Sequence, residues 1–303
     1  MRRNQFIHLG QAMKCHVWIM LVALVHFANV SQADQTTRGH LLIIGGGLRA
    51  DNSAVYERMI TYAGGPSKAR FGILPTASAN SKGAEKFAKR LAAHGVPANQ
   101  IDIIDLTIEN ATRQASNPAV SAQIRACTGL LISGGDQSRI TRALLHADGT
   151  RTAALQAIID MWERGGLIAG SSAGAAVLAD PMISDSGLPN DSLDVGMDPL
   201  DFGLTKQPSR RGVLVSRGLG LFRGGLLDQH FSQRRGRLGR LARVAIEERI
   251  RFGFGIDENT ALDVAQDGTV EVVGAGYVTI VDSAHATCAD GPLGCRMTDI
   301  AVS

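Results

Sequence analysis

Only four of the 303 residues are cysteine, and none stands at a spacing from histidine or another cysteine that a metal site uses. Charge of one sign is also nearly absent in excess. The formal net charge is +3, and Arg2, Arg3 and Lys14 account for it, because the first 33 residues hold no acid. The rest of the chain is balanced, which argues against general nucleic-acid binding, since that needs a basic stripe to release phosphate counterions. There is no internal repeat, no low-complexity tract and no long linker. With 45% hydrophobic and 19% charged residues the composition excludes disorder, collagen and coiled coil. What remains is one globular domain over residues 34–303, near the upper size for a single core, with a small-molecule or peptide site.

No apolar run is long enough to span a bilayer, which takes about 20 residues. Val17–Val30 follows a basic segment, is interrupted by His26 and Asn29, and leads into Ser31-Gln32-Ala33, small at the −3 and −1 positions. That is the pattern of a signal peptide over residues 1–33, cleaved after Ala33, and it predicts a secreted or periplasmic protein with no stable membrane anchor. Cys15 precedes the apolar run and is no lipid-anchor cysteine. Of the remaining three, Cys127 opens an apolar stretch and reads as a buried small hydrophobe. Cys288 and Cys295 permit a short-loop disulfide in an oxidising compartment. Asn110-Ala111-Thr112 and Asn190-Asp191-Ser192 fit glycosylation sequons without an assigned role.

From His40 onward short apolar runs alternate with longer amphipathic ones, the pattern of βα units, so the predicted class is α/β with a mostly parallel sheet covered by helices. Strands are expected at Leu41–Ile44, Phe71–Leu74, Ile101–Leu106, Gly129–Ile132 and Gly166–Ala169. Helices are expected near Ala54–Tyr62, Ala84–Ala93, Ala119–Ala126, Ser138–His146 and Thr152–Arg164. The stretch Pro181–Pro208, rich in Asp, Gly, Ser and Pro, breaks the pattern. Beyond it come Gly212–Ser216, a helix near Leu238–Ile250, and alternating runs at Thr260–Val264 and Thr269–Val273, which predict a mixed or antiparallel C-terminal third. In an open parallel sheet the ligand site lies outside the C-terminal strand ends.

The strongest chemical signal is Gly170-Ser171-Ser172-Ala173-Gly174, an apolar strand running through G-x-S-x-G into small residues. Such a turn lifts a serine above the sheet edge while the following helix N-terminus stabilises negative charge. Bare matches to this motif arise by chance; the strand-turn-helix context makes Ser172 the candidate nucleophile. A serine needs a base. His40 lies near the mature N-terminus, and His94 and His146 sit at expected helix ends, where surface or capping roles suffice. His230 ends the apolar run of Leu226-Leu227-Asp228-Gln229-His230-Phe231 and is the candidate base. Two acids follow the Gly-rich bend Gly253-Phe254-Gly255-Ile256, and either Asp257 or Glu258 would serve to orient it. Gly134-Gly135-Asp136-Gln137, between a strand and a helix, offers backbone N–H groups for an oxyanion hole. Gly45-Gly46-Gly47 lacks the third glycine of a dinucleotide fingerprint and reads weakly as a nucleotide site. Arg234, Arg235, Arg237, Arg240 and Arg243 cluster behind His230. Some form the solvated face of a helix, and those nearest His230 are candidates to clamp a substrate carboxylate bidentately.

In order, the triple glycine, Leu74-Pro75-Thr76-Ala77-Ser78, Gly134-Gly135-Asp136-Gln137, Gly170–Ala175, Asp228-Gln229-His230-Phe231 and Gly255-Ile256-Asp257-Glu258 resemble the cyanophycinase family, over about residues 40–283. That family is related to dipeptidase E. The resemblance implies a fold like the class I glutamine amidotransferases and a Ser172-His230-Glu258 triad; with Ser172 attacking, the N–H groups near Gly135 and Ala173 are the expected oxyanion hole. It also implies hydrolysis, without metal or other cofactor, of cyanophycin, a poly-aspartate with arginine on each β-carboxyl, to β-aspartyl-arginine. Gln137, Asp228, Gln229, Arg235, Arg237 and Arg240 match its substrate-pocket positions. Here one residue is inserted after Phe231, so Arg234 competes with Arg235 as the first clamp. Ser171 replaces the family's usual threonine.

Three rivals remain open at this stage. An esterase of the α/β-hydrolase type would order its triad serine, acid, histidine and would need His285. A binding protein would keep the pocket without turnover. A dipeptidase would take aspartyl or isoaspartyl dipeptides instead of polymer. For the peptidase reading the expected partner is a peptide or polymer rich in Asp and Arg, with no nucleic acid, and a homodimer is compatible with the sequence.

Overall fold

The computed structural model describes residues 39–185, 204–205, 213–291, 294–298 and 301–303. The expected signal peptide, Asn190 and most of Pro181–Pro208 lie outside the described residues. In chain order the strands are β1 His40–Ile44, β2 Phe71–Leu74, β3 Ile101–Ile103, β4 Gly129–Ile132, β5 Leu167–Ser171, β6 Met182–Asp185, β7 Leu204–Thr205, β8 Val213–Ser216, β9 Leu226–Gln229, β10 Phe252–Ile256, β11 Thr260–Val264, β12 Val270–Gly274, β13 Val278–Asp282, β14 Thr287–Gly291, β15 Gly294–Thr298 and β16 Ala301–Val302. The helices are α1 Ser53–Tyr62, α2 Lys82–Ala93, α3 Ala111–Gln114, α4 Pro118–Ala126, α5 Gln137–Leu144, α6 Ala153–Glu163, α7 Ala173–Ala176 and α8 Arg237–Glu247.

The principal sheet has the order β12-β11-β1-β5-β4-β2-β3. Its five strands from β1 to β3 run parallel, and β11 and β12 extend it antiparallel beyond β1. The apolar runs of β1, β4 and β5 are continuous because both faces are covered. Leu41 and Ile43 face the core shared with α4, α5 and α6, whereas Leu42 and Ile44 face the core shared with α1 and α2. Local chemistry sets the helix starts: Asn52 accepts from Val55 N–H, Thr152 from Leu155 N–H, and Asn117 precedes Pro118 at the first turn of α4. The α/β class and the mixed C-terminal third are as the sequence predicts.

Two local expectations change. The strand expected over Ile101–Leu106 stops at Ile103, although Ile104 and Leu106 still bury their side chains. The bend expected at Gly253-Phe254-Gly255 is the strand β10, which pairs parallel with β9 and antiparallel with β13. Its glycines leave room for neighbours: a Cβ on Gly255 would overlap the Phe231 ring and one on Gly253 would crowd Leu241 of α8. This second sheet, in the order β16-β13-β10-β9, brings the ends of β9 and β10 beside the end of β1. His230 N–H, just past β9, donates to Gly45 O at 2.7 Å and joins the two sheets at that point, while Gly45 N–H donates to Thr260 O at 3.0 Å within the principal sheet.

Candidate active site

Three adjacent parallel strands, β1, β5 and β4, end at one edge of the principal sheet, and each is followed by a small-residue turn. After β5 comes Ser172, with φ 56° and ψ −115°, a conformation that L-residues rarely hold and that places it between strand and helix. The flanking glycines permit that turn. A Cβ on Gly170 would stand 2.2 Å from Gly174 O, and one on Gly174 would stand 2.1 Å from Ile132 O. Ser172 N–H is anchored on Ile44 O at 3.0 Å, so the end of β1 fixes the serine directly.

His230 follows β9, also at positive φ, 51°. Its Nε2 lies 2.8 Å from Ser172 Oγ and its Nδ1 lies 2.6 Å from Glu258 Oε1. The carboxylate makes Nδ1–H the donor and leaves Nε2 as the acceptor facing the serine hydroxyl. The ring is 9% exposed as a residue, while the Glu258 side chain is 40% exposed, so the serine-side proton path is sheltered and the acid is at the rim. The two acids left open by the sequence are thereby separated. Asp257 is buried and accepts from Ser232 N–H through Oδ1 and from Tyr277 N–H through Oδ2, so its carboxylate braces two loops.

The triple glycine forms the floor under this pair. A Cβ on Gly46 would come within 2.4 Å of the His230 ring, and one on Gly47 within 2.6 Å of Glu258 Oε2. Both residues have positive φ, 98° and 56°. The turn is thus an imidazole and carboxylate seat, which replaces the weak nucleotide reading. Asn259 N–H donates to Gly46 O at 2.8 Å, and the Gln233 side chain accepts from Glu258 N–H at 2.9 Å. Neither residue is singled out by a sequence motif, since each acts through bonds to groups far away in the chain.

The turn Ser133–Gly135 after β4 lies against the nucleophile: a Cβ on Gly134 would be 3.1 Å from Ser172 Cβ. Gly135 and Ala173 therefore flank Ser172 from two adjacent strand ends. Gln137 at the start of α5 donates to Ser184 O at 2.5 Å and Ile183 O at 3.2 Å, tying α5 to β6. Among the described residues no cluster of three or more His, Cys, Asp or Glu side chains is arranged to hold a metal ion.

The model of the family described as peptidase family S51 matches residues 41–273. The chain belongs to peptidase family S51. It is a serine peptidase of the cyanophycinase type. Cyanophycinases from a Nostoc species and from Trichormus variabilis are each 32% identical to this S51 peptidase over 263 residues, covering 85% of its chain and 78% of theirs. A solved peptidase structure from an acI-B1 actinobacterium superposes with a TM-score of 0.57 at 19% identity, covering 81% of this chain and 91% of that one, and so shares the fold.

The arginines behind His230 divide by partner, and Arg243 is buried and paired with Glu247 of its own helix. Asp228, 2% exposed, receives Arg240 Nε on Oδ2 at 2.6 Å, and Arg240 Nη2 and Arg237 Nη1 on Oδ1 at 2.5 and 2.6 Å. Arg237 Nη1 also donates to Gln229 Oε1 at 2.9 Å. Arg237 and Arg240 are therefore engaged with the protein's own carboxylate. The expected clamp role is corrected for these two side chains as placed here: burial demands that Asp228 be neutralised, and they supply the countercharge. Arg234 and Arg235 are exposed beside the His230 loop.

Among the described residues, the other histidines take no part in the Ser172–His230–Glu258 geometry. His94 caps α2 and stacks on Tyr56, His40 stacks on Tyr62, and His285 is exposed on the turn after β13, which removes the esterase ordering. Cys127 is buried, and burial pushes its thiol up to about 11. The register of β14 and β15 sets Cys288 opposite Met297 and Cys295 opposite Asp290.

Proposed function

We propose that this peptidase hydrolyses cyanophycin outside the cytoplasm, releasing β-aspartyl-arginine through an acyl-enzyme on Ser172. The observation that carries the reading is the unbroken chain Ser172 Oγ, His230 imidazole, Glu258 carboxylate, at 2.8 and 2.6 Å. His230 Nε2 takes the hydroxyl proton as Ser172 Oγ attacks an aspartyl carbonyl carbon, and Glu258 stabilises the imidazolium that results. The tetrahedral oxyanion is received by the N–H groups of Gly135 and Ala173, the latter at the start of α7. The imidazolium returns its proton to the leaving amine, and the C–N bond breaks. Water, activated by the same imidazole, then attacks the acyl carbon, and Ser172 Oγ leaves with a proton.

The substrate assignment rests on the relatives, which carry the name cyanophycinase and span most of the chain. The exposed Arg234 and Arg235 supply the anion contacts in this reading, while Arg237 and Arg240 hold the strand end that carries His230. Export, predicted by residues 1–33, suits a polymer too large to import. The test is to incubate protein comprising residues 34–303 with cyanophycin and follow soluble products by mass spectrometry, beside the Ser172→Ala protein. Release of β-aspartyl-arginine by the wild type alone is expected. Cleavage of aspartyl or isoaspartyl dipeptides with no release from polymer would overturn the substrate assignment in favour of a dipeptidase.

A further inference from the structure

Two of the chain's three tyrosines are stacked with histidines, Tyr56 with His94 and Tyr62 with His40. Tyr277 differs: at 79% exposure it is the most exposed of the large apolar or aromatic residues described. A single exposed ring needs no explanation by itself. Its location calls for one.

The Tyr277 backbone is fixed against the segment that carries the triad acid. Asp257 N–H donates to Tyr277 O at 3.1 Å, and Tyr277 N–H donates back to Asp257 Oδ2 at 3.2 Å. Gly276 N–H donates to Thr260 Oγ1 at 2.7 Å, and a Cβ on Gly276 would sit 2.9 Å from Asp257 Cβ. Ala275 N–H donates to Asn259 O at 3.0 Å. Residues 275–277 thus run along 257–260, and Tyr277 is bonded to the neighbour of Glu258. Ser232 N–H donates to Asp257 Oδ1 and Glu258 N–H donates to Gln233 Oε1, so the arginine-bearing loop 232–235 and the Tyr277 loop are both bonded to the segment that carries Glu258, whose side chain is 40% exposed.

A ring on a pinned backbone loses only side-chain rotation when it binds, and its face attracts a guanidinium that remains partly hydrated. Arg234 and Arg235, exposed on the loop that follows His230, offer positive charge for the polymer's carboxylates. We infer that Tyr277 is a substrate-binding residue whose ring stacks on arginine guanidinium groups of the polymer at the rim of the active site. This rests on the proposed substrate, and it assigns Tyr277 to holding polymer, with no part in bond cleavage.

The test separates holding from cleavage. In a Ser172→Ala background, co-sedimentation with insoluble cyanophycin is measured for Tyr277, Tyr277→Phe, Tyr277→Leu and Tyr277→Ala, and association with polyaspartate lacking arginine is measured alongside. An exposed cation–π contact is worth about fivefold at its upper end. Tyr277→Ala and Tyr277→Leu should weaken sedimentation about fivefold, Tyr277→Phe should not, and polyaspartate association should be unchanged by all three. In the active background, KM should follow the same order while kcat and labelling by a small serine-directed phosphonate stay at the wild-type level.

Equal sedimentation of all four proteins would overturn the inference, as would full retention by Tyr277→Leu, which would mean apolar contact without stacking. A parallel fall in phosphonate labelling would also overturn it, by making Tyr277 a support for Glu258. Turnover by wild type with no ring effect removes the ring alone and keeps the substrate. Ring-dependent binding with no turnover keeps the ring and removes the proposed hydrolysis.

Discussion

At the residue scale the site depends on which atoms are free and which are spent. Glu258 reaches His230 Nδ1, while both oxygens of Asp257 are occupied by backbone N–H groups. Glu258→Gln should therefore lower kcat by on the order of 10⁴, the loss seen when a triad acid no longer fixes the imidazole tautomer, with the unfolding midpoint little changed. Asp257→Asn should instead lower thermal stability, because an amide cannot accept from both loops with the same charge-assisted bonds. Steady-state kinetics beside thermal melts distinguish the two. Gly46→Ala puts a methyl within 2.4 Å of the His230 ring at φ 98°. It should abolish most turnover and prevent phosphonate labelling of Ser172 while the circular dichroism spectrum stays native. Cys127, with its thiol pushed up to about 11 by burial, should resist alkylation in the folded protein at pH 8 and react once urea unfolds it.

At the element scale the decisive unit is β9 and the start of α8. Three hydrogen bonds from Arg237 and Arg240 close on Asp228, two residues before His230. Arg240→Ala leaves that buried carboxylate short of countercharge and should cost about 3–5 kcal/mol in urea denaturation. Arg235→Ala changes an exposed side chain and should stay within about 0.5 kcal/mol. The sequence made the strand-turn-helix punctuation around Ser172 legible because its signals are local: an apolar run, a glycine, a small-residue helix. It also exposed the strands β2, β4 and β11, where Leu, Ile, Phe, Thr and Val stand in short closed runs. It did not reveal β10, because Phe252-Gly253-Phe254-Gly255 carries glycine where a strand usually carries bulk, and only the approach of Phe231 and Leu241 explains the exchange. The purpose of Gly45-Gly46-Gly47 was hidden for the same reason, since its partners His230 and Glu258 lie far along the chain. The arginine cluster was visible, but which members are consumed by Asp228 depends on burial that no spacing encodes.

At the scale of the whole molecule, two sheets meet where β1 ends, and the triad is assembled across that meeting from β5, β9 and β10. The far end of β1 carries a different consequence. His40 packs on Tyr62 at 3.6 Å, with Asp263, Arg58 and Asp267 as its charged neighbours, and burial lowers its pKa below the ordinary 6.5, while Asp263 acts in the opposite direction. The unfolded chain then binds a proton more readily than the folded one, so this contribution is complete above the unfolded value and is lost as pH falls from there through the lower folded value. The melting temperature of the wild type should fall between about pH 7 and 5, and His40→Phe, which keeps the stack, should flatten that decline; an unchanged slope would remove His40 as its source.

The central claim is that Ser172 is activated by His230 across the junction of the two sheets. It is tested most directly by labelling the folded protein with a serine-directed phosphonate and mapping the adduct by peptide mass spectrometry, in wild type, His230→Ala and His285→Ala. The account predicts one adduct, on Ser172, lost in His230→Ala and retained in His285→Ala. An adduct on another serine, or one on Ser172 that forms as readily without His230, would contradict it.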